Sequence, residues 1–179
     1  MKIWSLVGLS LMLAASAAAQ PAQPYAGLQN RAVKTLAQEK IDDLRAGRGA
    51  GYALAAELNG YPGPAHVLEL REQLGLSSEQ RRRVEDLFQE MRGEAVPLGE
   101  RLIAQETALD RLFTDRTATP ERLQATTQAI GLTEAALRTT HLKYHLSTLD
   151  ILTPEQTRRY AELRGYGAGH QPQPHHGHH

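Results

Sequence analysis

The chain contains no cysteine. That single absence excludes disulfides, thiolate metal sites and cysteine nucleophiles together. Aromatic residues are scarce as well, at 5% of the sequence. Few aromatics beside many Ala, Leu, Glu, Gln and Arg favour helix over sheet. An excess of either charge is missing: 20 Lys and Arg face 20 Asp and Glu. A dedicated nucleic-acid binder carries a basic excess, so nucleic acid is not expected as a partner. Long hydrophobic runs are also lacking. The longest, from Ile3 to Ala15, falls short of the ~20 apolar residues that a spanning helix needs.

That short run has a different reading. Lys2 is a positive start, Ile3 to Ala15 is an apolar middle, and Ala17-Ala18-Ala19 is a small-residue cleavage site before Gln20. The pattern is that of a secretory signal peptide, residues 1–19, cut near Ala19. Export to a bacterial periplasm is expected, with no membrane span left after cleavage. The remaining length fits one domain with tails. Gln20 to Gly63 reads as an N-terminal helical and linker segment, residues 64–165 as the main helical domain, and residues 166–179 as a disordered His-rich tail.

Within the first segment, Leu28, Ala32, Leu36 and Leu44 recur at helical spacing, which predicts a helix over 26–44. Gly47, Gly49 and Gly51 break it. Tyr52 to Leu58 allows one or two turns before Asn59-Gly60. Tyr61-Pro62-Gly63-Pro64 is a turn, and Pro64 suits the first turn of a helix running to about Gln73.

Two copies of one pattern follow. Leu76-Ser77-Ser78-Glu79-Gln80 and Leu152-Thr153-Pro154-Glu155-Gln156 each place a hydroxyl three residues before a Gln. In a capping box the hydroxyl accepts from the N3 backbone N–H while the Gln reaches back to the cap's own N–H. These motifs start helices. Thr119-Pro120-Glu121 is a third start without the Gln. Between them run two seven-period stripes. One descends from Val84 through Met91, Leu98 and Leu112. The other has Leu123, Ile130, Leu137, Tyr144 and Ile151. Joined at Asp115 to Thr119, they predict an antiparallel helical hairpin. Pro97, between Gly93 and Gly99, predicts a kink in the first arm. Leu142, Leu146 and Leu149 form a further stripe that one partner helix leaves uncovered, to be covered by the N-terminal helices or by a second subunit. A hairpin of ~70 residues rarely carries enough core alone, so a homodimer is expected.

An exported, cysteine-free, all-helical chain with two Leu-(Ser/Thr)-x-x-Gln motifs flanking a long hairpin resembles the Spy/CpxP periplasmic stress proteins. That superfamily includes the zinc-resistance-associated protein and the metal-sensor domains of nickel/cobalt resistance systems. The resemblance covers roughly Pro64 to Gly165. It implies an all-α, hooked four-helix protomer with a kinked long arm, paired into a cradle-like homodimer. The activities it implies are ATP-independent holding of unfolded client proteins, envelope-stress regulation through a sensor protein, or metal binding. Arg81, Arg82, Arg83, Arg92 and Arg101 would make the cradle's surface cationic toward clients.

The eight histidines fall into two groups. His170, His175, His176, His178 and His179 crowd the tail, and neutral imidazole is a good ligand for Zn, Cu(II) and Ni. His141 and His145 are i,i+4, so both rings project from one helix face, a spacing that suits paired metal ligands. The resemblance to the sensors adds His66, with Glu69 on the same helix, as the contribution from the other side. Leu70, rather than a second histidine, stands four after His66. No Cys, and Met91 alone among methionines after residue 19, disfavour soft Cu(I). Imidazole with carboxylate suits a divalent transition metal: Zn(II) foremost, or Cu(II), Ni(II) or Co(II). Catalysis is not expected. The run His141-Leu142-Lys143-Tyr144-His145 lacks the metalloprotease Glu, and no phosphate-binding loop or nucleophile motif is present.

Overall fold

The structure is a computed structural model describing residues 23–166. Residues 1–19, expected to be a signal peptide, and the five tail histidines lie outside the described residues. Within them the fold is all helical, as the composition predicts. After a short 3-10 turn at Leu28–Asn30 come α1 (Gln38–Ala46), α2 (Leu54–Glu57), α3 (Pro64–Glu69), α4 (Ser78–Thr114), α5 (Pro120–Leu149) and α6 (Pro154–Leu163). No helix among the described residues is long and apolar enough to cross a membrane.

At 1.5 Å per residue, the 37 residues of α4 make a rod of about 55 Å. It packs along α5, and the short loop between them follows from Thr119, whose hydroxyl accepts the Arg122 N–H at the head of α5. α4 continues unbroken past Pro97. The proline frees the carbonyl of residue 93, which is an exposed glycine, so water can satisfy it.

The first helix is shorter than its apolar spacing predicts. Residues 31–37 are not helical. Thr35 instead donates to Glu106 (2.7 Å) and Lys34 pairs with Asp110 (3.1 Å). These contacts to α4, with Val33 and Leu36 buried in the core, outweigh a weak local preference. α3 is also shorter, ending at Glu69 rather than near Gln73.

Two cores result. One joins Val33, Leu36, Ile41, Leu44 and Tyr52 to Ala95, Leu102 and Ile103 of α4 and Ile130 and Leu137 of α5. Gly99 permits the close crossing of α1 over α4, since a Cβ there would lie 2.5 Å from the Leu44 carbonyl oxygen. The other gathers Val67, Leu74, Val84, Ile151, Leu152 and Tyr160 where α3, α4 and α6 meet.

Both capping boxes form completely, and they do more than start helices. Gln80 Nε2 donates to Gln156 Oε1 (2.8 Å), and Gln156 Nε2 donates back to Gln80 Oε1 (3.0 Å). Each amide also donates across the junction, Gln80 to the Ile151 carbonyl (2.9 Å) and Gln156 to that of Leu74 (3.3 Å). The motifs, 76 positions apart, thus fasten α4 to α6.

Candidate metal centre

Beside this junction lies a cavity of about 320 Å³ whose lining includes Glu57, Gly63, His66, Glu69, Met91, His141 and His145. α5 supplies the two histidines one turn apart. α2 supplies Glu57 as its last residue. The Tyr61-Pro62-Gly63-Pro64 turn then brings α3, with His66 and Glu69, over the top. Gly63 is required here because a Cβ would sit 2.7 Å from His145 Nε2.

The tautomer of His145 follows from its partner. Nδ1 lies 2.6 Å from the Tyr61 carbonyl oxygen. A carbonyl only accepts, so Nδ1 carries the proton and the lone pair of the neutral ring is on Nε2. His141 is 2% exposed. Its ring is parallel to that of Tyr52, with centroids 6.2 Å apart, and the Lys40 ammonium lies 4.2 Å from the Tyr52 ring centre. Burial, then the charges of His145 and Lys40, pushes the His141 pKa down to about 4. The ring is therefore neutral near pH 7. Its Nε2 is buried without a hydrogen-bond partner.

Glu57 is the residue that sequence reasoning missed. It is 5% exposed. Tyr160 donates to its Oε1, which also lies 3.4 Å from His66 Nδ1 and 3.6 Å from Arg164 Nε. Oε2 is 3.8 Å from His145 Nδ1 and has no hydrogen-bond partner. Burial alone would raise this carboxyl's pKa. The close approach of His66, the hydrogen bond from Tyr160 and the charge of His145 outweigh it, so the pKa is lowered and the group is ionised. The Tyr160 hydroxyl is pushed far up, first by burial and then by its bond to Glu57. One signal was readable: Glu57 is a lone charge within Leu54-Ala55-Ala56-Glu57-Leu58.

His66, Glu69, His141 and His145 thus line the same cavity. They do not converge as they stand. Among the described residues no group of three or more His, Asp or Glu side chains is gathered closely enough to hold an ion. Glu69 is exposed. On α4, Arg81 pairs with Glu85 and Arg82 with Glu79 and Asp86, while Arg92 donates to the Ala46 carbonyl.

A family described as heavy-metal resistance matches residues 46–159, well over half of the chain. The chain belongs to the heavy-metal-resistance family. This accords with the resemblance carried by the paired Leu-(Ser/Thr)-x-x-Gln motifs, both of which lie inside the match. The matched region begins ahead of Pro64 and takes in α2, so Glu57 lies within the heavy-metal-resistance segment along with His66, His141 and His145. No match was found among curated proteins or among solved structures.

Proposed function

We propose that this heavy-metal-resistance protein is an exported, non-enzymatic binder of a divalent transition metal, Zn(II) foremost, and that His66, His141 and His145 supply imidazole ligands from the cavity. The observation that carries the reading is the pair on α5. Two buried histidines one turn apart line one cavity, and the Nε2 of His141 lacks any partner. Leaving a buried polar atom unpaired costs about 1–3 kcal/mol, a cost that ligation removes. Metal ligation needs neutral imidazole, and the burial of His141 keeps it neutral. Nitrogen with oxygen donors suits Zn(II), Ni(II), Co(II) or Cu(II). Loading requires the side chains to close inward. His66, with its side chain 38% exposed, has room to turn. The tail histidines His170, His175, His176, His178 and His179 form a second capture segment in this reading.

Calorimetric titration of the chain from Gln20 with Zn(II), Cu(II) and Ni(II) tests it. Changing the five tail histidines to Gln is expected to leave one ion per chain. His141→Ala with His145→Ala then abolishes it while helicity stays, since Ala is the best helix former. Protons compete with the ion, so affinity falls from about pH 7.5 to 5.5. Binding no tighter than millimolar would sink the reading.

A second reading, ATP-independent holding of unfolded clients by a cradle-like homodimer, is favoured by apolar side chains on the outside. Leu132 is 74%, Phe113 59% and Leu146 55% exposed. Such surface serves either a second subunit or a client. Sedimentation tests the first, and delayed aggregation of a denatured client tests the second.

A further inference from the structure

The two oxygens of Glu57 are treated differently. Oε1 is approached by Tyr160, His66 and Arg164, while Oε2 is buried without a hydrogen-bond partner, 3.8 Å from His145 Nδ1. Leaving a buried acceptor without a partner costs free energy, and more for a charged group. Here one oxygen is tied back and the other is left vacant, in a cavity that already contains two buried imidazoles.

We propose that Glu57, rather than Glu69, is the carboxylate ligand of the ion, and that Tyr160 is the positioning residue that aims it. This rests on the metal reading given above. Glu69 is exposed and water satisfies it. Glu57 already bears the desolvation that a buried ligand must bear. Tyr160 is 1% exposed and fixed in the second core, so its hydroxyl holds Oε1 from a rigid base and leaves Oε2 as the oxygen free to ligate. Outer partners of this kind orient a ligand and set its basicity. The geometry also ties the cavity to α6. Tyr160 lies 103 positions from Glu57 and four after Gln156 of the amide pair. Metal affinity and the seating of α6 are therefore linked, and by thermodynamic necessity the linkage runs both ways.

The test uses the chain from Gln20 to His179 with its five tail histidines changed to Gln. Co(II) is the probe, because its d–d absorption reports the ligand set, with Zn(II) competition for affinity. Glu57→Gln is expected to weaken binding more than tenfold and to alter the saturated Co(II) spectrum. Tyr160→Phe keeps the ligands and should weaken binding about tenfold with the spectrum at saturation unchanged. Glu69→Gln should change neither. If Glu57→Gln and Tyr160→Phe are folded by circular dichroism and keep wild-type affinity and spectrum while His145→Ala loses the ion, Glu57 is a structural hub and the proposal is overturned with the metal reading intact. If the parent itself binds no Co(II) or Zn(II), the metal reading fails and takes this proposal with it. Should Glu57→Gln fail to fold, Glu57→Asp and Tyr160→Phe decide by the same criteria.

Discussion

Two polar junctions tie α6 to the rest of the molecule, one half-buried and one buried, and they are built on opposite principles. At the amide pair, Gln80 and Gln156 donate and accept with each other, with their own caps and with the carbonyls of residues 151 and 74. Every polar atom of the two amides is used. At the Glu57 junction, about one helical turn away along α6, a carboxylate oxygen of Glu57 and, in the same cavity, the Nε2 of His141 are left without partners. A satisfied network specifies structure, whereas a partly satisfied one is a cost that needs a reason. The first junction is therefore read as a fastening and the second as a site.

The sharpest way to break that comparison is to remove half of the fastening. Gln156→Ala deletes its own capping bond, takes one donor and one acceptor partner from the Gln80 amide, and frees the Leu74 carbonyl. With each orphaned group costing about 1–3 kcal/mol, the loss should reach about 4 kcal/mol. A urea titration reads this as a lower midpoint with an unchanged slope. Gln80→Ala should act on the same bonds, so the double variant costs well under the sum of the two. Full additivity would mean that the amides act separately.

The next effect is a pH dependence confined to the second junction. The unfolded chain protonates His141 near its ordinary value of 6.5, while the folded chain resists protonation down to about 4. Between these values the unfolded state binds more protons, so stability is present above 6.5 and is lost as pH falls toward 4. At 1.36 kcal/mol per unit the loss is about 3 kcal/mol. Other carboxyls titrate nearby, so the measurement is the difference between the metal-free parent and His141→Gln, taken at pH 7 and pH 4.5. Glu57, whose pKa is lowered, contributes in a lower window: its stabilisation is present above the ordinary carboxyl value and goes as pH falls below it. An identical pH profile in His141→Gln would show that His141 is not held neutral by the fold.

These contrasts mark what could be read from the chain. Fold class, the hairpin arms and both capping boxes were legible because helical spacing and cap chemistry are local. The pairing of Gln80 with Gln156 was not, since a capping box explains each Gln fully and nothing local says that two boxes will face one another. His141 and His145 stood out by their spacing, but their burial depends on α1, α2 and the residue 61–64 turn closing over α5. Glu57 was passed over because its partners come from α3, α5 and α6. Residues 31–37 misled for the reverse reason: their apolar spacing was real, and contacts to α4 decided their conformation.

A smaller effect probes how tightly the cavity wall is set. Gly63 has an ordinary extended backbone, so Gly63→Ala carries no conformational penalty there. The added Cβ would instead lie 2.7 Å from His145 Nε2, and the ring must move. Overpacking of this kind costs about 1–3 kcal/mol, and about 2 is expected from denaturant midpoints. Because Nε2 is the lone-pair nitrogen, Zn(II) affinity should fall as well. An unchanged affinity would place the ligating nitrogen of His145 elsewhere.

The smallest expected effect decides which acid belongs to the site. Glu69 is exposed on α3, close in sequence to His66, and the resemblance to the sensors made it the expected carboxylate partner. Exposure means that water already solvates it, so Glu69→Gln should change stability by less than about 0.5 kcal/mol. The change that matters is in Zn(II) binding, which should stay within about threefold of the parent, a difference of about 0.65 kcal/mol. A large loss of affinity with stability unchanged would move the carboxylate ligand from the buried junction to the cavity rim. The vacant oxygen of Glu57 would then need another explanation, and the contrast with the amide pair would no longer separate a site from a fastening.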